Sequence, residues 1–375
     1  MNKPKEEHRY CDIKCLNEPH STVEKFYTVN PIFICVISYT ETSQIPGITM
    51  AGANSELVKY TSAADSEFLY YGHCKCINNV PATPDGKPTP GIITRSALQL
   101  ADIPFLIVDA GSKIKPLIPY ISFSARPGQN IRNRNGVRFN DVKKLYDYGF
   151  TLGVQLAKSN DLVVVGESIA GGTTTALGVL ISLGIDAKFK LSSSMPQNPH
   201  SLKNRVIAEA MKRSKIRFGD LRDEPFKAIS LFGDPMMPSV AGIASGAITS
   251  GSKIMLAGGT QMSAVAAILT SLQVPLHNIS IGTTSYVVQD CSSNLVELVR
   301  SISTNIPIYS CNLHLAESTK AGLKAFASGY VKEGVGAGGT SIASMLKSEG
   351  RINGRVLLKA VEQEYETLVE KLLLK

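Results

Sequence analysis

The stretch Asp161-Leu162-Val163-Val164-Val165-Gly166-Glu167-Ser168-Ile169-Ala170-Gly171-Gly172-Thr173-Thr174-Thr175-Ala176-Leu177, which continues as an apolar run to Leu183, decides the fold. A short β-branched run that breaks into glycines and hydroxyls and then resumes as helix-forming sequence predicts a buried parallel strand handing over to a helix. Gly171 and Gly172 let the main chain approach an oxygen-rich group. The unpaired N–H groups of the first helical turn favour phosphate or carboxylate there. Thr173, Thr174 and Thr175 add donors and can cap the helix.

Two motifs come close and fail in informative ways. Gly166 to Thr173 has the spacing G-x-x-x-x-G-K-[ST], but Gly172 stands where the lysine belongs, so the loop lacks the cation that a nucleotide triphosphate needs. Gly166-Glu167-Ser168 begins like the nucleophile elbow G-x-S-x-G, with Ala170 in place of the closing glycine. A serine hydrolase using Ser168 therefore stands as an alternative. A Rossmann dinucleotide fingerprint is not present. The plain structural alternative is that Gly171 and Gly172 only permit close strand-to-helix packing.

Outward from this unit, Pro31–Ser38 and Pro104–Val108 read as strands, residues 54–70 as a helix capped by Asn54, and Thr94–Leu100 and Asn140–Lys158 as helices. Pro81 to Gly91 is a proline-rich loop, and residues 112–140 form a long irregular stretch of the kind that usually carries function. After the central unit the plan repeats. Lys227–Phe232 leads into Gly233-Asp234-Pro235, Lys253–Ala257 into Gly258-Gly259-Thr260-Gln261 and a helix from Met262 to Leu272, and Ile279–Gly282 into Thr283-Thr284-Ser285. Strands that each end in small polar residues, alternating with helices, predict an α/β fold. It is a mostly parallel Rossmann-like sheet with helices on both faces, plus a smaller helical subdomain from the termini. The expected division is 1–30 as an N-terminal arm or first helix, 31–345 as the α/β domain, and 346–375 as a C-terminal helical part.

Ligands in such a fold collect at the carboxyl ends of the strands, which places Glu167, Asp234, Gly258, Gly259 and Thr260 in one expected cleft. The loop Ser192-Ser193-Ser194-Met195-Pro196 precedes a helix carrying Lys203 and Arg205, and suits either substrate contact or a plain surface connection. Near the C-terminus, Lys332-Glu333-Gly334-Val335-Gly336-Ala337-Gly338-Gly339 sets one carboxylate among glycines before a helix from Ser341 to Lys347. Burial there would raise the Glu333 pKa and suit it to proton abstraction, whereas a solvent-exposed Glu333 at an ordinary helix start is the alternative.

The chain has 375 residues, 43% of them hydrophobic, which supports a sizeable core. Its net charge of +8 comes from scattered lysines and arginines without a nucleic-acid-binding module, so no nucleic-acid partner is expected. A charged Met1–His8 is unlike a signal peptide and no apolar run reaches membrane-spanning length, which predicts a cytoplasmic protein with no membrane partner. Seven cysteines, an odd number, fit reduced thiols. His73-Cys74-Lys75-Cys76 is the only cluster suggesting a metal, and its one-residue gap suits zinc poorly, so no metal site is assigned.

Taken in order, Gly166 to Leu177, Ser192 to Pro196, Gly233 to Pro238, Leu256 to Met262 and Glu333 to Gly336 resemble the archaeal and cyanobacterial branch of the nicotinate-nucleotide:dimethylbenzimidazole phosphoribosyltransferases. The resemblance spans about residues 90 to 345. It implies a glycosyltransferase that moves the 5-phosphoribosyl group of nicotinate mononucleotide to a benzimidazole-type base. The products are an α-riboside 5′-phosphate, used for the nucleotide loop of a cobamide (vitamin B12), and nicotinate. It further implies a homodimer and no cofactor. Glu333 matches the family's base, and Glu167 borders the sugar as a second catalytic carboxylate. Ser168, Gly171, Gly172, Thr173, Thr174, Asp234, Gly258, Gly259, Thr260, Gly334 and Gly336 fall at substrate and phosphate positions. Ala257-Gly258 replaces a bacterial Asp-Gly, and the first third of the chain, which supplies the base pocket in bacterial relatives, matches poorly. The accepted base is therefore left open. A non-catalytic nucleotide-binding protein on the same scaffold is a further alternative.

Overall fold

Alternating side chains along three central strands sort the interior into two cores. The computed structural model describes residues 9–17, 22–52, 54–78 and 87–370. Its strands are β1 (Ile13–Cys15), β2 (Pro31–Ile37), β3 (Phe105–Asp109), β4 (Ile121–Ser122), β5 (Leu162–Ser168), β6 (Lys253–Ala257), β7 (Ile279–Thr284) and β8 (Ile308–Cys311). Its helices begin with α1 (Thr61–Tyr71), α2 (Gly91–Leu100), α3 (Phe139–Leu156), α4 (Gly172–Ser182), α5 (His200–Ser214), α6 (Pro225–Phe232) and α7 (Met236–Thr249). They continue with α8 (Thr260–Ser271), α9 (Ser285–Val288), α10 (Leu295–Ile302), α11 (Ala321–Ala327), α12 (Ala337–Lys347) and α13 (Gly354–Tyr365).

The strands form one sheet in the order β1-β8-β7-β6-β5-β2-β3-β4, parallel throughout except for β1 against β8. Ile32, Ile34, Val36, Val163, Val165, Ile254 and Leu256 point to a core shared with α3 to α8. Phe33, Cys35, Val164, Met255 and Ala257 point to the opposite core, shared with α1, α2, α12 and α13. Strands buried on both faces read as continuous apolar runs, which is the composition of Leu162–Val165. The expected α/β sheet with helices on both faces is thus the observed architecture.

Glycine sets how closely several layers approach. Gly149 and Gly153 of α3 lie directly on the main chain of α7, and Gly242 and Gly246 of α7 on that of α3, so a Cβ at any of the four would strike backbone.

Three local expectations change. Lys227–Phe232 reads as a strand but is the end of α6, with Pro225 opening the helix. The N-terminal arm adds the edge strand β1 rather than a first helix, and His314 Nε2 meets Asp12 Oδ1 across that seam at 2.9 Å. Asn54 accepts the amide of Leu57 and so closes a 3₁₀ turn over Leu57–Tyr60; the α-helix itself starts at Thr61. No helix of the described residues is long and apolar enough to cross a membrane.

Chain direction diverges between β2 and β5: from β2 the chain builds outward to β3, and from β5 outward to β6. The carboxyl ends of these two central strands therefore open a crevice where the sheet order switches, the usual ligand position in an open α/β sheet.

Candidate functional site

A cavity of about 610 Å³ occupies that crevice. Its walls come from the segment after β2, from α1, from the β5–α4 turn, from the Ser192–Ser194 loop, from the start of α8 and from residues 331–335. Gly166 explains why the last of these, far away in sequence, arrives here. A Cβ at Gly166 would lie 2.8 Å from Gly336 Cα, so only glycine lets the C-terminal loop cross β5. The Val335 amide then donates to the Glu167 carbonyl at 3.0 Å.

The cavity brings together Glu167, Ser168, Gly171, Gly172, Thr173, Gly259, Thr260, Glu333 and Gly334 of the expected site. Gly171 adopts φ 77° and opens α4 with no side-chain cap, contrary to the expectation that a threonine caps it. The amides at that helix start are consequently left for a ligand. Four expected residues do not reach the wall. Asp234 is fully buried, accepting from Thr175 Oγ1 at 2.5 Å and from the Met236 amide at 3.0 Å, and so ties α4 to α7. Thr174 is buried behind the turn. Gly258 donates to the Gly282 carbonyl within the sheet. Gly336 packs on Phe33 and β5, while Gly338 and Gly339 seat α12 on β7 and β6. Most of that glycine cluster serves helix-on-strand packing, and Gly334 is the one that lines the cavity.

Glu333 is held by four donors. Its Oε2 accepts the Thr284 amide at 2.9 Å and the Thr283 hydroxyl at 3.4 Å, and Oε1 accepts the Gly334 and Gly338 amides at 3.2 Å each. Burial pushes its pKa up to about 7 against those hydrogen bonds. Burial also pushes Glu167 up to about 8, with the carboxylates of Asp234, Asp65 and Glu333 adding to the rise. A carboxyl group that gains and loses a proton near neutrality is what general acid–base work requires.

The sequence names Lys203 only as part of the helix after the Ser192–Pro196 loop and gives no sign that it meets Thr173. Lys203 of α5 lies behind the cavity wall: its Nζ donates to Thr173 Oγ1 at 2.8 Å and to the Ser192 carbonyl at 2.9 Å. Lys203 is fully buried, and burial, with Lys332 nearby, pushes it down to about 7. Lys332 is neutralised differently, by Asp290 Oδ2 at 3.0 Å, and donates to the Met195 carbonyl at 2.8 Å. Gln261 lies against Gly172 so closely that a Cβ there would collide with the amide, and its Nε2 is buried without a partner among the described residues. The start of α8 is thereby placed beside the start of α4.

Ser168 Oγ donates to Asp65 Oδ2 at 2.6 Å, and none of the described residues lining the cavity is a histidine. The arrangement offers Ser168 no imidazole base of the Ser-His-Asp kind, and its hydroxyl is spent on Asp65. Cys76 also lines the cavity, and burial pushes its thiol up to about 12; Cys74 is pushed up by burial too and donates to the Ala64 carbonyl. Neither is a thiolate at neutral pH, and the His73 ring packs against Tyr71.

No protein-family model matches the chain. It is 44% identical over 341 residues to a UPF0284 protein of Sulfolobus acidocaldarius, covering 91% of this chain and 96% of that one. It is 42% identical over 320 residues to a UPF0284 protein of Methanothermobacter thermautotrophicus, covering 84% and 88%. Among solved structures it is similar to the nicotinate-nucleotide-dimethylbenzimidazole phosphoribosyltransferase of Thermus thermophilus, with a TM-score of 0.60 at 12% identity over 95% of this chain and 94% of that one. A structure of CobT from the same organism gives 0.57 at 13% identity, covering 88% and 84%. The chain belongs to the UPF0284 family and has the fold of these phosphoribosyltransferase structures.

Proposed function

We propose that this protein transfers the 5-phosphoribosyl group of nicotinate mononucleotide to a ring nitrogen of a benzimidazole-type base, with release of nicotinate, as a step toward the nucleotide loop of a cobamide. The observation that carries the reading is that the uncapped start of α4 and the titratable Glu333 line one cavity, although they lie far apart in the chain. One Thermus structure of the same fold bears the name of a nicotinate-nucleotide-dimethylbenzimidazole phosphoribosyltransferase, which supports the reading.

Each group has a task. The amides at Gly172 and Thr173 and the Thr173 hydroxyl, backed by Lys203, suit the 5′-phosphate. Nicotinate mononucleotide carries a pyridinium leaving group, so its C1′–N bond breaks with the electron pair returning to the ring nitrogen. The acceptor's lone pair forms the new N–C1′ bond. The proton on the acceptor's other ring nitrogen passes to Glu333, an effect of about 10²- to 10⁴-fold for a well-placed base. Glu167 holds its proton at neutral pH in its surroundings, and a cationic ring beside it would favour the carboxylate. Aligning both reactants in one cavity adds several kcal/mol, on the order of what intramolecular reactions gain.

Nicotinate release from nicotinate mononucleotide, assayed with and without added benzimidazole, tests the reading. Release that depends on the base is expected. Binding of the nucleotide with no release for any base would return the protein to the nucleotide-binding alternative.

A further inference from the structure

Asp65 is the acid of the cavity that the reaction above does not use. It is buried on α1, and the described residues give it no cationic partner. Its Oδ1 accepts Thr89 Oγ1 at 2.8 Å and its Oδ2 accepts Ser168 Oγ at 2.6 Å. Holding a carboxylate away from water on two hydroxyls alone is costly, and each oxygen can accept a second donor. Thr61 lies four residues earlier on the same face of α1, also lines the cavity, and has a buried hydroxyl without a partner among the described residues. The pair sits beside the reacting groups. Ser168 adjoins Glu167 in β5, and Pro90, next to Thr89, packs 3.4 Å from where a Cβ on Gly334 would be, adjoining Glu333.

Resting on the transferase reading, we propose that Asp65, with Thr61, selects acceptor bases that present an amino group to α1 over bases with a hydrocarbon edge. A site built to hydrogen-bond a ligand rejects an analogue that lacks the group, because its own polar atoms are then left unpaired. A purely structural Asp65, tying α1 to residue 89 and to β5, would affect stability and leave the ranking of bases untouched.

The test is calorimetric binding of adenine, 5-aminobenzimidazole and 5,6-dimethylbenzimidazole to the full-length wild type, Asp65→Asn and Thr61→Val. The wild type is expected to bind the two amino-bearing bases at least about tenfold more tightly than the dimethyl base, and Asp65→Asn to bring that ratio toward one. The same ratio in both proteins, or a wild-type preference for the dimethyl base, overturns the proposal. Should Asp65→Asn fail to fold, Thr61→Val decides: a reduced ratio supports the pair and an unchanged one overturns it. Nicotinate release measured in parallel separates the two claims. Release with an unchanged ratio removes Asp65 alone, and no release with any base removes the transferase while the ratio still decides what Asp65 binds.

Discussion

Two stretches of the cavity wall are chemically opposite, although they touch: a Cβ on Gly259, at the start of α8, would lie 3.8 Å from Glu333 Cβ. At one, the starts of α4 and α8 converge with the Gln261 amide, and Lys203 stands behind Thr173, so nearly everything offered is a donor or a positive charge. At the other, Asp65, Glu167 and Glu333 crowd together, and each is pushed up by burial, to about 6, 8 and 7. The same burial that makes the lysine reluctant to hold its proton makes the acids reluctant to lose theirs. A ligand with an anion at one end and a cationic, N–H-bearing reaction centre at the other would relieve both strains at once. A small neutral ligand would relieve neither.

The sharpest way to break this contrast is at the acid end. Glu333→Gln keeps the shape and removes the proton acceptor, so turnover should fall by about 10²- to 10⁴-fold while nicotinate mononucleotide still binds. Steady-state kinetics beside calorimetry measures both, and undiminished turnover removes Glu333 from the chemistry. At the donor end the effect is expected to be smaller and to fall on binding. Lys203→Met should raise KM for nicotinate mononucleotide roughly ten- to hundredfold and leave KM for the base unchanged, since charged hydrogen bonds contribute about 1.5–3 kcal/mol. Equal loss for both substrates would mean that Lys203 only supports the fold.

These two residues were not equally legible in the sequence. Glu333 could be read because it sits in a local motif, and β5 and α4 because a β-branched run, a glycine pair and a helix former are contiguous. Lys203 carries no local signature. Its role depends on α5 folding back on Thr173, and Asp65 likewise acquires its setting from Ser168, 103 residues on. The glycines near 336 were legible as close approach, but what they approach is the sheet. Sequence alone does not say whether a glycine faces a ligand or another backbone. Lys227–Phe232 failed for a plainer reason: a short apolar-rich segment does not distinguish period 2 from period 3.6, and Pro225 was the signal to weigh.

The pH profile sharpens the contrast, because each end should own one limb. Glu333 must be unprotonated, so activity should rise with pH through about 7, and the acid limb should vanish in Glu333→Gln. Lys203 must be protonated to set a positive charge behind Thr173, so kcat/KM for the nucleotide should fall again above about 7. Lys203→Arg, which stays charged, should extend the alkaline side alone. A profile flat from about pH 6 to 8 would mean that neither group titrates in the catalytic cycle.

The smallest effect is on stability, and its sign differs between the ends. Glu167 has a folded pKa of about 8, above its ordinary 4.5, so its contribution is fully present below about 4.5 and is lost as pH rises through 8. Glu167→Gln should therefore leave Tm nearly unchanged relative to wild type at about pH 4 and raise it by a few degrees at about pH 8. For Lys203 the folded pKa of about 7 lies below 10.5, so the folded state binds fewer protons between those values, and wild type should gain stability relative to Lys203→Met as pH climbs from about 7 toward 10. Melting curves of both variants across about pH 4 to 10 check the pair. Parallel slopes would mean that the two ends share one electrostatic environment, and the division of the cavity would fall with them.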